Sequence, residues 1–160
     1  MQKITPFLWF DNQAEEAANF YCSVFDNAKI TGITRYSEAG KEIHQQPIGS
    51  MQTVEFEIGG QKFTALNGGS HFQLTPAISF VVPCQSQEEV DRFWDALSDG
   101  GAVMACGWVT DKFGVTWQIV PVVLLEMLQD EDAAKARNVT QAMMQMEKLD
   151  IQKLEEAYAL

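Results

Sequence analysis

Few side chains in this 160-residue sequence are equipped for chemistry. Cys106 stands before Gly107-Trp108 in a stretch that reads as a strand, which puts Cys106 and Trp108 on one face. A thiol facing a pocket becomes a nucleophile when a cation or a helix N-terminus depresses its pKa. No such activator is identifiable, so packing as a small apolar residue is the favoured role and catalysis by Cys106 the weaker one. Cys22 and Cys84 have less claim. Three cysteines at scattered spacing make neither a disulfide framework nor a CxxC knuckle. His44 and His71 fall in apparent loops with no carboxylate at ligand spacing, so no metal site is expected from them. Phe7, Trp9, Trp108 and Trp117 could line a pocket for a flat ligand, with Asn67 and Gln118 as polar groups needing partners among buried strands.

The elements that must carry these residues repeat. Ile4–Phe10 is an apolar run that meets Asp11-Asn12 and then a helical pattern. Asn12 is the expected N-cap, Glu15 completes a capping box, and Ala17, Tyr21, Val24 and Phe25 make the apolar face. Further on, Ala77–Val82 alternates as a strand, and Ser86-Gln87-Glu88-Glu89 is a stronger capping box. Val90, Phe93, Trp94 and Leu97 follow at helical spacing, and Gly100-Gly101 stops that helix. Met51–Ile58 and Gln61–Leu66 read as a hairpin about Gly59-Gly60. Val103–Thr110 and Val115–Val120 read as its counterpart about Asp111–Gly114. Aligning the returning strands sets Phe63-Thr64 over Trp117-Gln118.

An edge strand is expected near Ile30–Tyr36, and Glu38–Ser50 is the expected mobile loop. Strand parity puts Thr5, Phe7 and Trp9 on one face, and likewise Ala77, Ser79 and Val81, and Thr116, Gln118 and Val120. After Pro121 the pattern turns helical. Val122–Gln129 begins the tail, Asp132 caps a helix with the stripe Ala136, Val139, Met143 and Met146, and Asp150 caps a last short helix.

Eleven basic against 22 acidic residues leave a net charge of −11, which repels phosphate backbones and anionic lipid. No nucleic acid and no membrane partner is expected. The start of the chain lacks the features of a signal peptide, and the chain reads as cytoplasmic.

The paired layout resembles the vicinal oxygen chelate superfamily, which contains glyoxalase I, bleomycin-resistance proteins and extradiol dioxygenases. Thr5-Pro6-Phe7-Leu8-Trp9-Phe10-Asp11, Ala14-Glu15-Glu16-Ala17 and Phe20-Tyr21 resemble its PhnB-like subfamily. So do Val54-Glu55-Phe56, Ala65-Leu66-Asn67-Gly68-Gly69, Cys106-Gly107-Trp108 and Asp111-Lys112-Phe113-Gly114-Val115 with Trp117-Gln118. Members often carry the name 3-demethylubiquinone-9 3-methyltransferase. The resemblance implies an α+β chain of two fused β-α-β-β-β modules, spanning 1–70 and 71–121, with a helical extension over 122–160. Each module would curl its sheet into a half-cup, with Trp117 and Phe63 under the helices.

Family enzymes hold a divalent ion through four inward residues, and these slots fall near Thr5, Thr64, Ala77 and Gln118. Alanine cannot ligate and threonine hydroxyls ligate poorly, so the resemblance carries over no metal and no cofactor. The methyltransferase name also lacks its motif, because Asn12-Gln13-Ala14-Glu15 after the first strand contains no glycine. The expected function is binding of a small organic molecule by Thr5, Phe7, Trp9, Thr64, Asn67, Ala77, Ser79, Cys106, Trp108 and Gln118, in a chain that pairs with itself as a homodimer. Two alternatives stand beside it. One is an enzyme, either a 3-demethylubiquinone 3-methyltransferase or a metal-dependent lyase or isomerase. The other is a dimeric interaction protein that uses its C-terminal helices.

Overall fold

The computed structural model describes residues 3–160. The chain divides into two compact units between Leu74 and Thr75, so the C-terminal helices belong with the second module.

The first unit is built from β1 (Phe7–Phe10), α1 (Ala14–Val24), β2 (Ala28–Arg35), a short helix α2 (Lys41–His44), β3 (Met51–Ile58) and β4 (Gln61–Asn67). Its four strands lie in the order β1-β4-β3-β2, with β1 parallel to β4 and the other pairs antiparallel. Gly59 and Gly60 both adopt positive φ, as a two-residue type I′ hairpin demands. α1 buries Ala14, Ala17, Ala18 and Tyr21, and Tyr21 meets Phe56 of β3 at a ring separation of 5.7 Å. Phe63 stacks on Phe56 at 5.2 Å, beneath the same helix. Three alanines on this face let the helix backbone approach the sheet closely, and two aromatic pairs fill what remains.

The second unit repeats that order with β5 (Phe80–Cys84), α3 (Gln87–Ser98), β6 (Ala102–Val103), β7 (Trp108–Thr110) and β8 (Thr116–Pro121), paired β5-β8-β7-β6. Ser86 caps α3 by accepting the Glu89 N–H at 3.3 Å, and the Glu89 carboxylate reaches back to the Gln85 N–H at 2.7 Å. Asp111 is buried in the β7–β8 turn and accepts from Phe113 N–H, Val115 N–H and Trp117 Nε1–H at 2.8–3.1 Å. That one carboxylate closes the turn and fixes the Trp117 ring. The extension α4 (Val122–Leu128), α5 (Ala133–Met143) and α6 (Ile151–Tyr158) packs around Leu124, Val139, Leu149 and Leu154, all almost fully buried. Each contributes about 1.5–3 kcal/mol, so the extension has a core of its own. Asp132 and Asp150 cap α5 and α6 as the sequence predicts.

Four local expectations are corrected. The cap position of α1 is Gln13, not Asn12, and no side chain from either residue bonds the helix end. Asn67 of β4 takes over that task. Ala77–Ser79 precede β5 rather than open it, because Thr75 turns the chain by accepting the Ala77 N–H on Oγ1 at 3.3 Å. The Val103–Thr110 stretch breaks after Val103. Cys106 and Gly107 adopt φ of 63° and 80° there, and their N–H groups bond Met146 O and Glu147 O, each at 2.8 Å. The loop over Glu38–Ser50 is stapled rather than free: Tyr36 N–H donates to Ser50 O at 2.9 Å, Gly49 N–H donates to Tyr36 O at 2.7 Å, and α2 forms within it.

Candidate functional site

In each unit one sheet face is covered by its helix and the other is not. On the uncovered face of the first unit, Phe7, Thr64, Glu55 and Gly32 are successive cross-strand partners. Trp9, Leu66, Thr53 and Thr34 form the next row. Phe7 is 61% exposed, whereas Thr64 beside it in the same row is only 8% exposed. Trp9 is half-buried and fixed in place. Its Nε1–H donates to Gly69 O at 2.7 Å, Phe72 meets its ring edge-on at 4.9 Å, and a Cβ on Gly68 would stand 2.3 Å from the ring. Gly68 therefore exists to admit the indole.

Glu55 is the residue that the sequence reading misses. The alternation of Met51–Ile58 already separates it from Val54 and Phe56, but only the register sets its carboxylate between Thr64 and Gly32. A Cβ at Gly32 would lie 3.0 Å from Glu55 Oε2. Glu57 one row away has Lys62 and Lys29 as cross-strand partners, whereas Glu55 has no basic partner in its row.

On the uncovered face of the second unit, Val81, Gln118 and Trp108 are successive partners, and Gln118 Nε2 donates to Ser79 Oγ at 2.8 Å. Val81 is 52% exposed, and Ser79, Trp108 and Gln118 are half-buried. Thr110 and Thr116 pair their hydroxyls at 3.1 Å in the neighbouring row. Because Phe7 pairs with Thr64 and Val81 pairs with Gln118, the residue equivalent to Thr5 is Ser79, not Ala77. Ala77 is exposed and lies before the strand.

Two expected site residues sit elsewhere. Asn67 faces α1 from the helix side of β4. Its Oδ1 accepts the Ala14 N–H at 2.8 Å, its Nδ2 donates to Met51 O at 3.3 Å, and its main-chain O accepts from Tyr36 Oη at 2.6 Å. Burial raises the Tyr36 hydroxyl pKa at that contact. Cys106 lies in the turn between β6 and β7, off the strand face shared by Trp108. Burial also raises the Cys22 thiol and pushes Cys84 up to about 11, with Glu89 adding to the latter. His44 rests against the Tyr36 ring at 4.6 Å and accepts the Gln46 N–H on Nδ1, so it organises its own loop.

The donor set does not fit a divalent ion of the superfamily type. The slots hold the hydroxyls of Thr5, Thr64 and Ser79, which are poor ligands for such an ion, and one amide, Gln118, whose oxygen alone would be an ordinary donor. Among the described residues no three His, Cys, Asp or Glu side chains converge. At the start of α1, Asn67 Oδ1 takes the Ala14 N–H. A cleft of about 970 Å3 on the second unit, lined by Gln85, Lys148, Asp150 and Lys153 among others, is polar and partly self-paired: Lys148 bonds Asp91 at 2.9 Å.

Two β-α-β-β-β modules with uncovered sheet faces define a glyoxalase-like protein of the vicinal oxygen chelate superfamily. Within it, the chain belongs to the 3-demethylubiquinone-9 3-methyltransferase family, whose model matches residues 2–120. It is similar to a PhnB protein from Bacillus cereus that carries that same family name. The two share 37% identity and a TM-score of 0.66, over 76% of this chain and all of the other. The protein PA1353 from Pseudomonas aeruginosa shares the fold at 19% identity and a TM-score of 0.60, over 76% and 98% of the two chains. So does the fosfomycin resistance protein FosX from Listeria monocytogenes, solved with Mn(II) and a dihydroxypropylphosphonic acid. Its identity is 14% and its TM-score 0.51, over 73% and 90%. No curated protein sequence matches the chain.

Proposed function

We propose that this protein binds a small organic molecule on its uncovered sheet faces, without a divalent metal. The observation that carries the reading is the mixture on those faces: solvent-open Phe7 and Val81 and half-buried Trp9 and Trp108, beside Thr64, Glu55 and the Ser79–Gln118 pair. Binding sites for small molecules combine apolar walls with a few oriented polar groups in this proportion. Thr5, Phe7, Trp9, Thr64, Ser79, Trp108 and Gln118 are the proposed contacts, joined by Glu55. Asn67, Ala77 and Cys106 are left out on the positions described above.

The chain acts as a homodimer in this reading, supported by the exposed apolar residues Ile33, Phe72 and Ile78 outside the proposed contacts. Three free thiols suit a reducing compartment such as the cytoplasm. No helix among the described residues is long and apolar enough to cross a membrane. Methyl transfer, which the family name describes, has no glycine-rich loop after β1 to support it.

Thermal-shift screening of a metabolite library that includes S-adenosylmethionine and divalent ions tests the proposal. A hit should raise the melting temperature; Phe7→Ala and Glu55→Gln should reduce the shift of a ligand held on the first unit's face, and Gln118→Ala that of a ligand held on the second's. Hits insensitive to all three variants refute the assigned faces. Stabilisation by S-adenosylmethionine with methyl transfer to a quinol replaces binding with catalysis.

A further inference from the structure

The loop between β2 and β3 closes on a histidine whose two ring nitrogens have fixed roles. The Gln46 N–H can only donate, and it stands 3.0 Å from His44 Nδ1, so Nδ1 carries the lone pair. Nε2 then carries the proton and donates to Ser37 O at 3.2 Å. The ring is therefore neutral and held in one tautomer. Between the ring and that N–H, Gln45 adopts a φ of 54°, a left-handed conformation that a residue with a side chain keeps only where its surroundings impose it. The loop reaches the uncovered face of the first unit through Gln46. A Cβ on Gly69 would stand 3.3 Å from Gln46 Nε2, and Gly69 O is the acceptor that seats the Trp9 indole at 2.7 Å.

A proton taken up on Nδ1 replaces this acceptor by a second donor aimed at the Gln46 N–H. The bond is lost, and with it the constraint on Gln45. We propose that His44 is an acid-released latch: neutral, it holds Gln46 against Gly69 and keeps Trp9 seated, and protonated, it lets both go. The latch needs the uncharged ring, so it is closed above the range in which an imidazole changes charge, about pH 8 to 5, and opens as pH falls through it. Tyr36 faces the ring from the end of β2 at 4.6 Å, and its hydroxyl, raised by burial and bonded to Asn67 O, stays protonated throughout that range. Glu38, Lys41 and Glu42 are the charged residues of the loop itself near His44, and none is ion-paired to the ring. Weaker binding on the first unit's face in acid follows only if the binding reading above holds; the latch does not depend on it.

The experiment uses the full chain with His71→Gln, which removes the other imidazole, the neighbour of the Phe72 ring that meets Trp9. Nitrogen NMR follows the Gln46 amide and the Trp9 indole N–H at about pH 8 and about pH 5, without ligand. After correction for intrinsic exchange, protection of the Gln46 amide should fall about tenfold in acid, and the Trp9 indole resonance should move with it. His44→Asn presents Oδ1 to the N–H two residues on, as an Asx turn does, and cannot take up the proton. It should stay closed at both pH values, and His44→Ala should be open at both. Unchanged Gln46 protection in acid, or an equal loss in His44→Asn, overturns the latch. A Trp9 resonance that stays in place while Gln46 opens overturns its link to the uncovered face. These signals need no ligand, so a thermal-shift screen without hits would sink the binding reading and leave the latch standing.

Discussion

Replacing Asn67 by alanine separates a structural role from a binding role. The side chain accepts the Ala14 N–H at 2.8 Å and donates to Met51 O at 3.3 Å, at a residue only 9% exposed. Alanine leaves the first amide of α1 buried without an acceptor. Losing a helix cap costs about 0.5–2 kcal/mol. An unsatisfied buried donor costs about 1–3 kcal/mol, and the two descriptions overlap. Adding the weaker Met51 bond, about 2–4 kcal/mol is expected in total. For a chain of this length that lowers the melting temperature by about 4–16 °C. Asn67→Asp keeps the Oδ1 acceptor, loses the donor to Met51, and should fall between the two. Urea unfolding gives the loss, and hydrogen exchange at Ala14 locates it, with protection lost there first. A destabilisation below about 1 kcal/mol, combined with lost ligand binding, would refute the argument and return Asn67 to the binding face.

Gly68→Ala should drive the Trp9 ring from its seat, since the new Cβ would sit 2.3 Å from Cε2; a red-shifted tryptophan emission reports it, and unchanged emission sinks the packing claim. At pH 8 an alkylating reagent should modify Cys106 far faster than Cys84, whose thiol is pushed up to about 11; mass mapping that finds equal labelling contradicts the burial argument. Gln87 ties α3 to the extension by donating to Asp91 Oδ1 and Leu149 O and accepting the Ile151 N–H, so Gln87→Ala should cost about 1–3 kcal/mol and speed proteolysis after Met143. Asp91 is held below the usual carboxylate range, first by the Gln87 bond and then by Lys148. A carboxyl depressed in the fold stabilises above its unfolded pKa and loses that stabilisation as pH falls through the folded one. Acid should therefore loosen the extension in the wild type, and Asp91→Asn should flatten that part of the pH–stability curve.

The two-module layout was legible because its signals are local. Alternation set β3 and β4, Gly59-Gly60 demanded a primed turn, and Ser86 with Glu89 announced α3. Asp132 and Asp150 marked their helices the same way. What eluded the sequence depended on atoms far along the chain. Asn12 looks like the cap of α1, yet the helix end is satisfied from β4 by Asn67, 53 positions away. Cys106 sits within a stretch that alternates like a strand, but the carbonyls of Met146 and Glu147 outbid a neighbouring strand for its amides and turn the chain into a positive-φ pair.

The candidate site divides along the same line. Residue order and period settled that Phe7 and Trp9 share a face and that Gln118 lies opposite Trp117. Only the strand register decided that Ser79 rather than Ala77 matches Thr5, and that Glu55 stands between Thr64 and Gly32. A period of two fixes which side of a strand a residue occupies but carries no information about its neighbour on the next strand. That choice belongs to long-range hydrogen bonding and to the packing of Tyr21, Phe56 and Phe63 beneath α1, which exist only once the chain has folded.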